Sequence, residues 1–134
     1  MAKTFHSDVL IVGGGPVGAF LGWKLAAAGV DVQLLDAKAL DQIGAHIEVI
    51  HMDQVRYDEF EIPHPEPPEL IHLAPHFKIW SVDQSSFFEV EYPFYVVNMP
   101  EYVQRLHSYV RDHGGKIAEK ARVKDIIFED GYVK

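Results

Sequence analysis

The chain has no cysteine. Disulfides, thiolate metal centres and redox thiols are therefore excluded. No run approaches the roughly 20 consecutive apolar residues that cross a bilayer. The opening MAKTFHSDVL also lacks the basic-then-apolar layout of a signal peptide. The expectation is a soluble, cytoplasmic protein with no transmembrane segment. Basic clusters are missing as well: 12 Lys and Arg stand against 20 Asp and Glu, for a net charge of −8. Nucleic acid is recognised through clustered Lys and Arg facing phosphates, so it is not an expected partner. Repeats and low-complexity stretches are absent too. What is present, 134 residues of which 48% are hydrophobic, suffices for one domain of modest size with a real core.

The apolar run Asp8 to Val12 ends at glycines and suits a buried parallel strand. Pro16 to Ala28 reads as a helix, with Ala19, Gly22 and Ala26 as a small-residue face and Gly29 as its stop. Val30 to Leu35 is a second strand, completing a right-handed βαβ unit. Ile47 to Phe60 has near-helical apolar spacing, and the proline-laden Ile62 to Pro75 reads as an irregular loop. His76 to Ser81 and Phe87 to Tyr92 are expected to pair antiparallel, with Phe94 to Val97 continuing as strand. Pro100 to His113 is a helix whose apolar face is Tyr102, Val103, Leu106 and Val110. Lys116 to Ala118 is a third parallel strand, Val123 to Phe128 a further strand, and Glu129-Asp130-Gly131 a hairpin turn. The return strand of that hairpin has only three residues, so the chain reads as cut. The fold class expected is α/β: a Rossmann-like parallel sheet with helices, plus a small antiparallel substructure over roughly residues 76–97, all within a single domain 1–134.

Gly13, Gly15 and Gly18 have the G-x-G-x-x-G spacing of a dinucleotide site, here with a strand before, a helix after and a strand again. The first glycine permits the tight turn. The second lets a pyrophosphate approach the backbone, and the third lets the helix pack closely. The helix N-terminus then offers free N–H groups and a positive dipole end to phosphate, so an acidic protein needs no basic patch. Asp36 ends the second strand, 23 residues after Gly13. A carboxylate there accepts hydrogen bonds from the adenosine ribose hydroxyls and repels a 2′-phosphate, which argues against NADP. Pro16 and Gly22, extending the pattern to G-x-G-x-x-G-x-x-x-G, favour FAD over NAD.

DVLIVGGGPVG followed by GVDVQLLDA resembles the opening of glutathione-reductase-type flavoproteins, and Gln42-Ile43-Gly44-Ala45 is similar to the "IGA" of geranylgeranyl reductase-type flavoenzymes. Aromatic-ring hydroxylases share the layout. The resemblance covers nearly the whole chain by order of elements, while only the first 36 residues carry a specific motif. It implies FAD as cofactor, hydride transfer through flavin N5, and a small hydrophobic unsaturated or aromatic substrate. It brings Gly44 into the cofactor set, sets the backbone of Val123 against the adenine, and puts His46 near the flavin. Where the reductases have an Arg-Cys pair, this chain reads His46-Ile47-Glu48-Val49, and where they have an Arg before the later helix it has Met99. Family members are longer, with a second FAD-contacting Gly-Asp motif and most substrate contacts in their C-terminal half. The implied partner is thus that half or a second protein subunit, in a homo- or hetero-oligomer.

The candidate cofactor residues are Gly13, Gly14, Gly15, Pro16, Val17, Gly18, Asp36, Ala37, Lys38, Gly44 and Val123; no catalytic residue is assigned. Five of the eight histidines fall between His46 and His76, but Pro75 separates His72 from His76, so a shared helix face and a metal site are not expected. Tyr92, Phe94 and Tyr95 form an aromatic strand, a core or sheet face before a pocket wall. Two other functions stay open: a non-catalytic nucleotide-binding module completed by a second chain, and an NAD-binding Rossmann domain.

Overall fold

The computed structural model describes residues 4–44 and 49–133. In chain order its elements are β1 (Val9–Val12), α1 (Pro16–Ala27), β2 (Val32–Leu35), a 3-10 turn (Leu40–Gln42), β3 (Val49–Asp53), α2 (Gln54–Glu59), β4 (Leu70–Trp80), β5 (Phe87–Asn98), α3 (Met99–Asp112), β6 (Lys116–Ala118), β7 (Phe128–Glu129) and β8 (Tyr132–Val133). They fall into two compact units, residues 1–46 with 103–134, and residues 47–102.

The first unit is built on a parallel sheet of order β1-β2-β6. Val9 lies opposite Val32 and Val12 opposite Leu35, while Gln33 to Leu35 pair with Lys116 to Ala118. Because β2 is central, Val32 and Leu34 are wholly buried. Burying such side chains stabilises by about 1.5–3 kcal/mol each. Pro16 starts α1, where its missing N–H costs nothing. The helix buries its small face, Ala19, Gly22 and Ala26. In this unit α3 contributes a stripe of Val103, Leu106, His107 and Val110, all essentially inaccessible to solvent. Three of these were expected to form its apolar face; His107 was not. β1 is an edge strand with no neighbour on its outer side among the described residues. Leu10 and Val12 on it are 48% and 60% exposed, and Val17 and Leu21 of α1 are exposed as well. The sheet and helices are those of an α/β fold, as the βαβ pattern indicates.

The second unit is an antiparallel sheet of order β3-β5-β4. Here the local readings need correction. Residues 47–60 are not one helix: Val49–Asp53 is a strand, and only Gln54–Glu59 is helical. Pairing to β5, with His51 opposite Val96 and Asp53 opposite Phe94, overrides the helical spacing. The loop expected to run to Pro75 ends at Leu70, where β4 begins. Pro75 is tolerated because β4 is an edge strand and its register slips between Ala74 and His76. The core of this unit is aromatic: Tyr57 meets Tyr95 edge-on at 5.1 Å and Tyr102 at 6.3 Å.

In the first unit, β7 and β8 form the hairpin expected at Glu129-Asp130-Gly131, with Asp130 at φ 53° and Gly131 at φ 84° as a two-residue turn of that hand requires. The strand expected over Val123 to Phe128 shrinks to Phe128–Glu129, because the preceding residues have no strand to pair with among those described.

Candidate cofactor site

The loop Gly13–Gly15 joins the C-terminal end of β1 to α1. Gly13 has φ +104°, a region that favours glycine, and its N–H donates to the Leu35 carbonyl at 2.8 Å. The Gly14 N–H donates to Asp36 Oδ2 at 2.7 Å, and the other carboxylate oxygen accepts the Lys38 N–H at 2.8 Å. Asp36 is itself held by its backbone, donating to the Ala118 carbonyl at 3.0 Å and accepting from the Ala121 N–H at 2.8 Å. Loop and carboxylate thus form one hydrogen-bonded assembly at the ends of the parallel strands, the edge where open α/β sheets bind ligands.

The three glycines of the motif do different things. A Cβ on Gly15 would meet nothing within 4 Å. Its backbone is extended (φ −67°, ψ −170°) and caps α1, and it lines a shallow cavity of about 330 Å³ with Gly13, Pro16, Val17, Gly18 and Leu21. A Cβ on Gly18 would lie 1.9 Å from the Gly13 carbonyl oxygen. What Gly18 permits is close approach of the helix to the loop backbone, more than to the sheet. Gly14 is also constrained, since its Cβ would stand 2.9 Å from Leu34 Cδ2. No acidic residue occupies the first turn of α1, so nothing there competes with an anion for the helix dipole. A cradle that a side chain would fill, beside free helix N–H groups and a ribose-level carboxylate, fits the ADP half of FAD. A larger cavity, about 550 Å³ and bounded by residues from Thr4 to Leu10 with Gln33 and Val133, lies by the start of β1, away from the strand ends where such ligands bind.

Gly13, Gly14, Gly15, Pro16, Val17, Gly18 and Asp36 are therefore brought together. Ala37 and Lys38 follow Asp36 and are exposed. Gly44 is buried with φ 84°, next to Ile43, whose Cδ1 would be 3.2 Å from a Cβ on Gly14. Val123 is half-buried in the coil between β6 and β7, and among the described residues it shares no hydrogen bond with the loop. His46 lies outside the described residues. In the other unit, the Tyr95 hydroxyl lies 2.7 Å from His64 Nδ1, Tyr92 donates to Asp53 at 3.2 Å, and Phe94 lines a cavity of about 350 Å³ with His51, Asp53 and Phe77. Among the described residues no group of three or more His, Asp or Glu could hold a metal ion, and no helix is long and apolar enough to cross a membrane.

One participant escaped the sequence reading. His107 Nε2 lies 2.7 Å from the Gly14 carbonyl oxygen. Burial pushes its pKa below the usual histidine value, against the opposing pull of that carbonyl. Its signal in the sequence was a single polar residue within the stripe Val103, Leu106, Val110.

Fold and site together define a dinucleotide-binding α/β domain. The FAD binding domain family model matches residues 6–55. The digeranylgeranylglycerophospholipid reductase of Sulfolobus acidocaldarius is 31% identical over 132 residues, 98% of this chain and 29% of that protein. A geranylgeranyl bacteriochlorophyll reductase-like protein from Thermoplasma acidophilum superposes with a TM-score of 0.83 at 19% identity, over 95% of this chain and 33% of its own. The p-nitrophenol 4-monooxygenase of Pseudomonas putida superposes with a TM-score of 0.72 at 20% identity, over 98% of this chain and 36% of its own. The chain thus carries an FAD-binding domain similar in sequence to that of the Sulfolobus reductase, and its cofactor is FAD. It spans about a third of the length of these relatives.

Proposed function

We propose that this chain is the FAD-binding part of a reductase that saturates carbon–carbon double bonds in the polyprenyl chains of a glycerophospholipid. The observation that carries this reading is the 31% identity to the Sulfolobus reductase, sustained over 98% of this chain rather than confined to the glycine motif. FAD, when bound, supplies hydride transfer at N5. This chain's residues hold the cofactor: the Gly13–Gly15 turn and the start of α1 receive the pyrophosphate, and Asp36 receives the adenosine ribose. The aromatic cavity of the second unit, with Phe77 and Phe94, suits an isoprenoid chain. The exposed outer side of β1, where Leu10 is 48% exposed, receives the remainder of the flavoprotein, on the same chain or on a second subunit, since an unpaired apolar edge is unstable in water.

The test is to reduce the FAD-loaded protein, together with that remainder, chemically and supply an unsaturated polyprenyl glycerophospholipid. Gain of two hydrogens per double bond by mass spectrometry supports the reading. No reduction of the lipid, with oxygen- and NAD(P)H-dependent hydroxylation of a phenol instead, would replace it with the monooxygenase function.

A further inference from the structure

His107 has no part in the glycine motif, yet it is wholly buried and reaches that motif's backbone. Its Nε2 is 2.7 Å from the Gly14 carbonyl oxygen. A carbonyl only accepts, so Nε2 carries the proton. Nδ1 is buried with no hydrogen-bond partner among the described residues, which makes it the bare ring nitrogen of a neutral imidazole. The Gly14 carbonyl and the Gly15 N–H belong to one planar trans peptide and point in opposite directions. Fixing the carbonyl toward the buried ring therefore fixes the Gly15 N–H on the opposite side, away from His107. The other two N–H groups of the loop are engaged, Gly13 by the Leu35 carbonyl and Gly14 by Asp36. Three consecutive glycines have little conformational preference of their own, so the orientation of this peptide must come from a neighbour.

We propose that His107 is a positioning residue for the phosphate turn: its Nε2–H holds the Gly14–Gly15 peptide so that the Gly15 N–H faces the FAD pyrophosphate. This rests on the assignment of FAD to the glycine loop. With the ring's donor removed, the Gly14 carbonyl is left buried and unpaired, and turning it toward water carries the Gly15 N–H away from the phosphate.

The test uses the full chain with His107→Leu, which keeps bulk and removes the donor, and His107→Gln, whose Nε2 reaches the same carbonyl. FAD and ADP affinity should fall about tenfold or more in H107L, the equivalent of one lost hydrogen bond to a charged group, while adenosine affinity is unchanged. H107Q should restore most of the loss. Wild-type affinity for FAD in H107L would overturn the proposal, as would equal loss for ADP and adenosine, or an H107Q variant as weak as H107L. Should H107L not fold, nitrogen NMR of the wild-type ring decides: a neutral Nε2–H tautomer, with the Gly15 amide signal shifting when ADP is added, is expected. An Nδ1–H tautomer or an unmoved Gly15 amide would overturn it. A wild-type chain that takes up no FAD would instead sink the FAD assignment itself.

Discussion

Replacing Gly15 and Gly18 by alanine should separate cofactor binding from folding. At Gly15 the new Cβ meets nothing within 4 Å, and the backbone angles, φ −67° and ψ −170°, suit any residue. The folding cost is that of alanine in place of glycine at a helix N-cap, less than about 1 kcal/mol. The Cβ does, however, occupy the path by which the pyrophosphate approaches the backbone. FAD affinity should fall at least about tenfold, or roughly 1.4 kcal/mol. At Gly18 the Cβ would sit 1.9 Å from the Gly13 carbonyl oxygen. That neighbour is backbone and cannot swing aside, so loop or helix must move. Overpacking of this kind costs on the order of 1–3 kcal/mol, a few degrees of Tm for each kcal/mol, and it displaces the phosphate turn as well. Gly22→Ala is the control: its Cβ has neighbours at 3.4 to 3.6 Å, ordinary contact, and a mid-helix alanine should gain about 0.5–1 kcal/mol. Thermal unfolding of the apo-chain and quenching of FAD fluorescence measure the two effects. A Gly15→Ala variant that binds FAD like wild type, or a Gly18→Ala variant as stable as wild type, would refute the reasoning.

Three more outcomes are expected. Asp36→Asn puts an amide N–H₂ against one of the two backbone N–H groups now facing the carboxylate; urea unfolding should show a loss of about 1–3 kcal/mol, with weaker FAD binding, and an unchanged midpoint would contradict this. The buried His107 has a pKa below its unfolded value, so below about pH 6.5 the unfolded chain binds the extra proton and stability falls as pH falls. His107→Gln should flatten that acid-side slope, and parallel curves for wild type and variant would argue against it. The chain alone should self-associate through the outer side of β1, and Leu10→Lys should shift it toward monomer in sedimentation velocity; concentration-independent monomer in the unsubstituted chain would be the contrary result.

The βαβ unit was legible because its signals are local: an apolar run, glycines at fixed spacing, a small-residue helix face and a second apolar run ending in Asp36. The cofactor followed from the same stretch, since the loop, the helix start and the carboxylate lie within a few dozen residues of one another. The antiparallel unit was less legible. β3 carries near-helical spacing and is a strand only because β5, more than forty residues on, supplies its partner. Pro75 looked like the end of a loop, yet it lies with Pro93 at the slip where Ala74 pairs with Phe94 and His76 with Glu91, a place where a missing N–H is tolerated. The partner of His107 was hidden for the same reason. His107 acts 93 residues from Gly14, and no local pattern records which carbonyl a buried imidazole will meet.

The most direct measurement is cofactor content. The purified full chain, incubated with FAD and freed of excess, should show flavin absorption bands and release FAD on denaturation, with ADP competing for the site and FMN not. A colourless chain that takes up no FAD, or one from which FMN displaces FAD while ADP does not, would contradict the assignment of the Gly13–Gly18 turn and Asp36 to the ADP half of FAD.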